Sequence, residues 1–195
     1  MMNLWNTNEN DLTKKTGTKE KFENSGIYEV TIKKAYITHS TKSKAKAITV
    51  SLETNENYGR TNFWFVKGDG TENEFARATL NRMLYLLKMK ASQLKTESKK
   101  IKNHNGEEIE RVYLPDLEGK SIGIILNVQV EGEQTNFDVK DFFDIKSKKT
   151  SDEIISKTEA YTVEFFRNKY SKESERVLKS EAAQATNEDD DEFPF

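Results

Sequence analysis

The chain has 195 residues, a formal net charge of −2 and no cysteine. The lack of cysteine excludes disulfide bonds and thiolate metal sites, and it fits a reducing cytoplasm. No apolar stretch approaches the length that a bilayer-spanning helix requires. We therefore expect a cytoplasmic protein without a membrane segment, built from one domain of about 150 residues with appendages.

The charges are unevenly distributed along the chain. Positions 188–192 are all acidic, and without them 31 basic side chains stand against 28 acidic ones. A mildly basic body with an acidic tail favours a nucleic-acid-binding protein. A mobile polyanion can occupy a basic groove until a nucleic acid displaces it.

The first half of the chain predicts three strands. Residues 1–24 are polar and predict a flexible N-terminal arm. A first strand is predicted over 27–37, where the consecutive lysines Lys33 and Lys34 break the alternation and indicate a β-bulge or a strong bend. Two further strands are predicted over 46–53 and 61–66.

The third predicted strand carries aromatic residues on both faces. Only one of these faces can belong to the core. We assign Phe63 and Phe65 to the core and Trp64 to a ligand-binding face. The opposite assignment, with Trp64 in the core, stays open from the sequence.

A helix and a long connection follow. The helix is predicted over 73–89 from an apolar stripe at helical spacing. Its members include Phe75, Leu80, Leu84 and Leu87. Residues 91–111 are rich in lysine and predict a mobile connection.

The second half of the chain predicts a hairpin and a helical extension. Residues 122–130 alternate between apolar and polar, which is typical of a strand, and a fifth strand is predicted over 134–145. One face of this fifth strand is assigned Phe137, Val139, Phe143 and Ile145. Residues 152–183 predict one or two charged helices whose docking residues are Tyr161, Phe165 and Phe166.

Five strands with a helix between the third and the fourth predict a mainly β protein. This is the order of the five-stranded Greek-key β-barrel known as the oligonucleotide-binding fold, or OB-fold. An α+β sandwich is the alternative. The predicted organisation is a flexible arm (1–24), the barrel domain (25–150), a charged helical extension (151–185) and a disordered acidic tip (186–195).

Single-stranded nucleic acids are bound by aromatic rings, on which bases stack, and by cations, which contact phosphates. Trp64 is the main candidate for stacking, with Tyr36 and Tyr58 as secondary candidates. The basic candidates lie near the first three strands, apart from one arginine in the long connection. They are Lys33, Lys34, Lys42, Lys44, Lys46, Arg60, Lys67 and Arg111.

Catalysis has little support in the sequence. His39 and His104 are the only histidines, and both lie in polar loops. Asp138, Asp141 and Asp144 recur every three residues, a spacing that on a strand does not bring all three carboxylates to one face. We interpret them as solvent-facing charges, and we expect no enzymatic activity, no cofactor and no metal site.

The C-terminal segment Asp189-Asp190-Asp191-Glu192-Phe193-Pro194-Phe195 combines acidic residues with two aromatics around a proline. Such a segment suits capture by a basic pocket on another protein. It resembles the tip of bacterial single-stranded DNA-binding proteins, in which an acidic run leads to Pro-Phe. The resemblance implies that replication or recombination proteins are recruited through this tip.

The body resembles phage-encoded single-stranded DNA-binding proteins of the OB-fold. The resemblance covers about residues 25–146 and rests on a few short motifs in the same order. They are Gly26-x-Tyr28-Glu29-Val30, Gly59-Arg60, Leu117-Glu118-Gly119-Lys120 and Asn136-Phe137.

The resemblance implies sequence-tolerant coating and protection of single-stranded DNA during phage replication or recombination, and it allows for a homo-oligomer. After residue 150 the chain departs from the bacterial proteins, because charged, helix-prone sequence replaces their Gly-, Gln- and Pro-rich linker. The alternative function is a protein-interaction adaptor whose barrel does not bind nucleic acid. A metal-dependent nuclease is a third and weaker hypothesis.

Overall fold

The computed structural model of the chain describes residues 19–102, 106, 108–131 and 134–173. The predicted acidic tip, most of the predicted N-terminal arm and the end of the predicted helical extension lie outside these residues. The strands are β1 (Glu20–Lys21), β2 (Gly26–His39), β3 (Lys46–Glu53), β4 (Asn57–Val66), β5 (Glu97–Lys102), β6 (Glu108–Tyr113), β7 (Ser121–Glu131) and β8 (Gln134–Phe143).

The described helices are α1 (Glu74–Leu86), α2 (Ser151–Ile155) and α3 (162–173), with single 3₁₀ turns at Ala91–Gln93 and Pro115–Leu117. The Asn73 side chain caps α1 by accepting a hydrogen bond from the Ala76 N–H. In the described part of the chain, no helix has the length and apolar character that a membrane span needs.

The long strand β2 organises the sheet. One of its edges pairs antiparallel with β3, which continues into β4. The other pairs antiparallel with β7 at the start of β2 and with β6 near its end, and the 3₁₀ turn at Pro115–Leu117 links these two partners. Strand β7 also pairs with β8, so the eight described strands form one sheet. The protein is mainly β, and this sheet is strongly curled into a half-barrel.

Several sequence predictions are confirmed in detail. The second predicted strand has the bounds of β3, and α1 lies within the predicted helix. The register of β2 against β3 shifts between Ile32 and Lys34, so the bulge lies at the predicted lysine pair. Val30 and Ile32 are buried on the inner face of β2.

The core fills the inside of the curled sheet. Its buried side chains come from β2, β3, β4, β7 and β8, and Leu80, Met83 and Leu84 of α1 join them. Strands β4 and β8 approach each other without a continuous ladder, and the Thr61 hydroxyl donates to the Phe137 carbonyl across this seam. Phe22 fills the seam: it is 2% exposed, and its ring lies 6.2 Å from that of Phe137.

The predicted mobile connection is wrong for its second half. Residues 97–102 and 108–113 form the antiparallel hairpin β5–β6, which extends the sheet beyond β2. The sequence of this segment has no alternating apolar pattern, because lysines occupy many of its positions. Pairing with β2 through Tyr113 and Val112 therefore could not be deduced from local sequence.

Three packing assignments are also wrong. Phe75 is 89% exposed, because it lies in the first turn of α1 before the helix reaches the core. In β8 the register shifts between Val139 and Asp141, so that Phe142 continues the core face and Phe143 turns to the opposite face. The helical extension docks on Phe143 through Val163 and Tyr170, with Phe166 packed against them as predicted, whereas Tyr161 and Phe165 are exposed.

One buried carboxylate joins the two C-terminal helices. Glu153 of α2 accepts hydrogen bonds from the Thr150 N–H at 2.8 Å, the Tyr161 N–H at 2.9 Å, and the Thr162 N–H at 2.7 Å. The Thr162 hydroxyl donates a fourth bond at 2.8 Å. Burial raises the pKa of Glu153, but these bonds outweigh burial and lower the pKa to about 2.

Candidate nucleic-acid interface

On the outer face of β2, β3 and β4, a row of small residues lies between two rows of larger ones, and we call this surface the groove. The register places three small residues of the central strand β3 along its floor, namely Ala47, Thr49 and Ser51. Each floor residue lies between a residue of β4 and a residue of β2. The three rows across the strands are Trp64–Ala47–Thr38, Asn62–Thr49–Tyr36 and Arg60–Ser51–Lys34.

The floor is packed and polar. Ala47 is 0% exposed and Thr49 is 2% exposed although neither belongs to the core inside the sheet, so their taller neighbours cover them. The hydroxyls of Thr38 and Thr49 are 2.5 Å apart, and Thr49 donates to Asn62 Oδ1 at 2.7 Å. These bonds fix the side chains of the floor before any ligand arrives.

The aromatic residues of β4 lie on the faces of the sheet that the sequence predicted. Phe63 is 7% exposed in the core, Phe65 packs against the core, and Trp64 is 37% exposed on the outer face. The assignment of faces is therefore confirmed. This exposure leaves part of the Trp64 ring surface open to a flat ligand.

One end of the groove is strongly basic. It opens into a cavity of about 920 Å³ between β1, the bulge of β2, β4 and β8. Five basic side chains and one carboxylate line this cavity, together with Tyr58, which is 44% exposed. The charged residues are Lys19, Lys21, Lys33, Lys34, Arg60 and Glu53.

The bulge explains why two consecutive lysines line the same cavity. In a regular strand Lys33 and Lys34 would point to opposite faces, and one of them would enter the core. Because the pairing skips Lys33, both side chains are exposed on the basic cavity.

A single carboxylate neutralises part of this charge. Glu53 Oε1 lies 2.9 Å from Lys33 Nζ, and Glu53 Oε2 lies 3.0 Å from Lys19 Nζ. Burial raises the pKa of Glu53, but these two lysines outweigh burial and hold the pKa below its ordinary value. Among the described residues, no carboxylate lies within ion-pairing distance of Lys34 or Arg60, so both side chains are available to a ligand.

The opposite end of the groove has a second basic rim. The loop between β2 and β3 and the turn after β4 are joined by a hydrogen bond from the Lys44 N–H to the Gly68 carbonyl, 3.1 Å long. The exposed lysines of this rim are Lys42, Lys44, Lys46 and Lys67. Strand β4 spans roughly 30 Å between the two basic ends at about 3.3 Å per residue.

The structure revises the environment of Tyr36. This ring is only 6% exposed, because the Arg111 guanidinium covers it at 4.4 Å from the ring centroid. Tyr113 lies beside it with 5.8 Å between ring centroids. Tyr36 therefore offers no open ring face, unlike Trp64 and Tyr58, and Arg111 occupies the position above it.

Two basic residues of the cavity were missed in the sequence. Lys19 and Lys21 fell within the predicted arm, but the two-residue strand β1 pairs parallel with β4 and brings them to the cavity. A pairing of two residues leaves no periodic pattern that could have revealed it.

No metal-binding cluster of three or more His, Cys, Asp or Glu side chains occurs among the described residues. His39 borders the second basic rim, and His104 lies outside the described residues. The interpretation of Asp141 as solvent-facing is wrong. It is partly buried beside Arg82, at 3.7 Å, and burial raises the pKa of its carboxyl.

Neither a protein-family model nor a curated protein sequence matches the chain. Functional inference therefore rests on the geometry and charge of the groove.

Proposed function

We propose that the protein binds single-stranded DNA across the outer face of β2–β3–β4 without sequence specificity. The observation that supports this most is the combination, on one sheet face, of an exposed tryptophan above a small-residue floor with basic residues at both ends. Bases stack on aromatic rings at about 1–3 kcal/mol each, and cations contact the phosphates.

The floor of the groove accounts for the lack of sequence specificity. Reading a base requires free donors and acceptors at fixed positions. The hydroxyl of Thr49 and the Oδ1 atom of Asn62 are already bonded to each other. A ring face and flexible lysines accept any base and any phosphate.

We also propose the OB-fold for the body. Strands β2, β3 and β4, helix α1, and strands β7 and β8 follow one another in the order of that fold, with β2 joined to both β3 and β7. In OB-folds the second and third strands carry the oligonucleotide, and these correspond to β3 and β4. The acidic tip would recruit replication or recombination proteins.

The test is a titration with oligo-dT followed by tryptophan fluorescence at several salt concentrations. The chain has two tryptophans, Trp5 and Trp64, so the Trp5→Phe variant makes Trp64 the reporter. We expect quenching that weakens with salt, with a log–log slope of about −0.7 per neutralised phosphate. Duplex DNA of the same length serves as control and should quench less.

The absence of both quenching and a mobility shift at low salt would contradict the proposal. The alternative, a protein-interaction adaptor, would then gain support from the exposed apolar side chains of the C-terminal helices. Ile155 is 62% exposed and Tyr161 68% exposed. Such residues on a surface are typical of protein-binding sites when they cluster.

A further inference from the structure

The hairpin β5–β6 enlarges the outer face of the sheet beyond β2. Tyr36 pairs with Tyr113 and Ile37 with Val112, and continuing this register by one residue sets Arg111 opposite Thr38. Arg111 in turn pairs with Lys99. The row that begins at Trp64 therefore crosses five strands and reaches two cations on the hairpin.

The Arg111 guanidinium lies over the Tyr36 ring. Its central carbon is 4.4 Å from the ring centroid, a distance typical of a cation–π contact. Tyr36 is held in turn by Tyr113, and the Lys99 ammonium lies 5.5 Å from the Tyr113 centroid. In the described part of the chain, no carboxylate lies within ion-pairing distance of Arg111, and its side chain is partly exposed.

We propose that Arg111, supported by Tyr36, is a second platform on which a base of the single strand stacks. This inference rests on the proposed function and extends it from three strands to five. A guanidinium fixed on one side by a ring presents its other planar face to a base, and proteins commonly stack unpaired bases on arginine in this way. The edge of the same group can still donate to a phosphate.

The spacing fits two stacked bases on one strand. Trp64 and Arg111 are three strand spacings apart, roughly 14 Å at about 4.8 Å per spacing. Between them lie Ala47, which its taller neighbours cover, and the partly exposed Thr38, so the backbone of a nucleic acid would cross above these residues. A single strand that follows the groove along β4 would therefore turn at Trp64 and continue across the sheet to β6.

Substitution of Arg111 by lysine separates stacking from charge. The Arg111→Lys variant keeps the cation and loses the plane, so affinity for oligo-dT should fall about 5- to 100-fold while the salt slope stays unchanged. An abasic oligonucleotide of the same length has the phosphates but no bases, and its affinity should be the same for both proteins. Arg167→Lys, on the exposed side of α3, is the matched control and should bind as the wild type does.

A second variant tests whether the Tyr36 ring holds the Arg111 guanidinium in place. Tyr36→Leu keeps Arg111 but removes the ring beneath it, so oligo-dT affinity should fall while binding of the abasic oligonucleotide is retained. A melting curve of each variant shows that the fold persists. Equal loss for dT and abasic strands, with a smaller salt slope, would show a phosphate contact and overturn the inference.

The outcome also separates this inference from the proposed function. If the wild type does not bind oligo-dT, the proposed function fails and this inference fails with it. If the wild type binds and Arg111→Lys binds equally well, only the second platform is refuted.

Discussion

Neighbouring residues of β4 have opposite roles because side chains alternate across a strand. Phe63 is buried against Phe142, with 5.9 Å between ring centroids, whereas Trp64 faces the groove. A substitution of Phe63 should therefore lower the stability of the fold, whereas a substitution of Trp64 should weaken DNA binding.

The first prediction compares these two positions. Trp64→Ala should weaken oligo-dT binding by about 1–3 kcal/mol, because one stacking surface is lost. Phe63→Ala should lower the free energy of unfolding by about 3–5 kcal/mol, because it leaves a cavity in the core. Fluorescence anisotropy of a labelled oligonucleotide and thermal melting measure the two effects. A large loss of stability in Trp64→Ala would instead make Trp64 a core residue.

Gly123 gives the second prediction. A Cβ atom at this position would lie 2.2 Å from the buried Phe143 ring, a distance that atoms cannot adopt. Gly123→Ala should therefore destabilise the protein by about 1–3 kcal/mol or more, since the ring cannot move without disturbing the contacts of α3.

Thermal melting measures this effect, and Gly68→Ala is its control. At Gly68 the added Cβ would meet the Ser43 side chain at 3.5 Å, an ordinary contact. Equal melting temperatures for the two variants would contradict the predicted clash.

At the scale of elements, the sequence predicts a strand or helix best where only one face of that element is buried. Strand β3 and helix α1 were predicted because their apolar residues repeat with the period of the element. Strand β8 was placed correctly, but its bulge at Lys140 changed which phenylalanine enters the core. The bulge of β2 is marked by two consecutive lysines, whereas Phe142 and Phe143 are both apolar and either could continue the core face of β8, so its sequence does not reveal the bulge.

The candidate site was predictable in part for the same reason. The alternation of β4 placed Trp64 on the outer face, and Arg60, Lys33 and Lys34 meet in one cavity as neighbouring strands would suggest. The cover that Arg111 forms over Tyr36 was not predictable, because it depends on a hairpin inserted about 75 residues later in the chain.

The third prediction concerns the junction of α2 and α3. Glu153→Gln should destabilise this junction, because an amide cannot replace a carboxylate that accepts four hydrogen bonds. The folded pKa of about 2 lies below the ordinary value of 4.5, so the stabilisation is fully present above pH 4.5. It is lost as the pH falls toward 2.

Thermal melting of wild type and variant between pH 7 and pH 3 tests this prediction. The difference in melting temperature should be constant near neutral pH and should shrink below about pH 4.5. Glu164→Gln is the control, since Glu164 is exposed and makes one ion pair with Arg167. A difference that persists unchanged at pH 3 would argue against a role for the ionised carboxylate.

At the scale of the whole molecule, the fourth prediction concerns the balance of charge between body and tail. Residues 189–195 carry four acidic side chains and two aromatics. Their deletion should strengthen oligo-dT binding, because a competing polyanion is removed from the basic groove, and it should abolish recruitment of partner proteins.

Binding at low and high salt, with wild type and truncated protein side by side, measures this competition. The gain on truncation should be largest at low salt, where charges are least screened. Replacing the acidic residues by Asn and Gln, with the aromatics kept, separates charge from hydrophobic contact. Weaker DNA binding after truncation would refute the competition.

The position of Phe22 has a consequence for how the chain folds as it is made. This residue enters the seam between β4 and β8 beside Gly59 and Phe137, and β1 next to it pairs with β4. A segment from the start of the described chain thus finds its place only after β8 has been synthesised. During synthesis, Phe22 therefore cannot make its final contacts with β8 until more than one hundred further residues have been added to the chain.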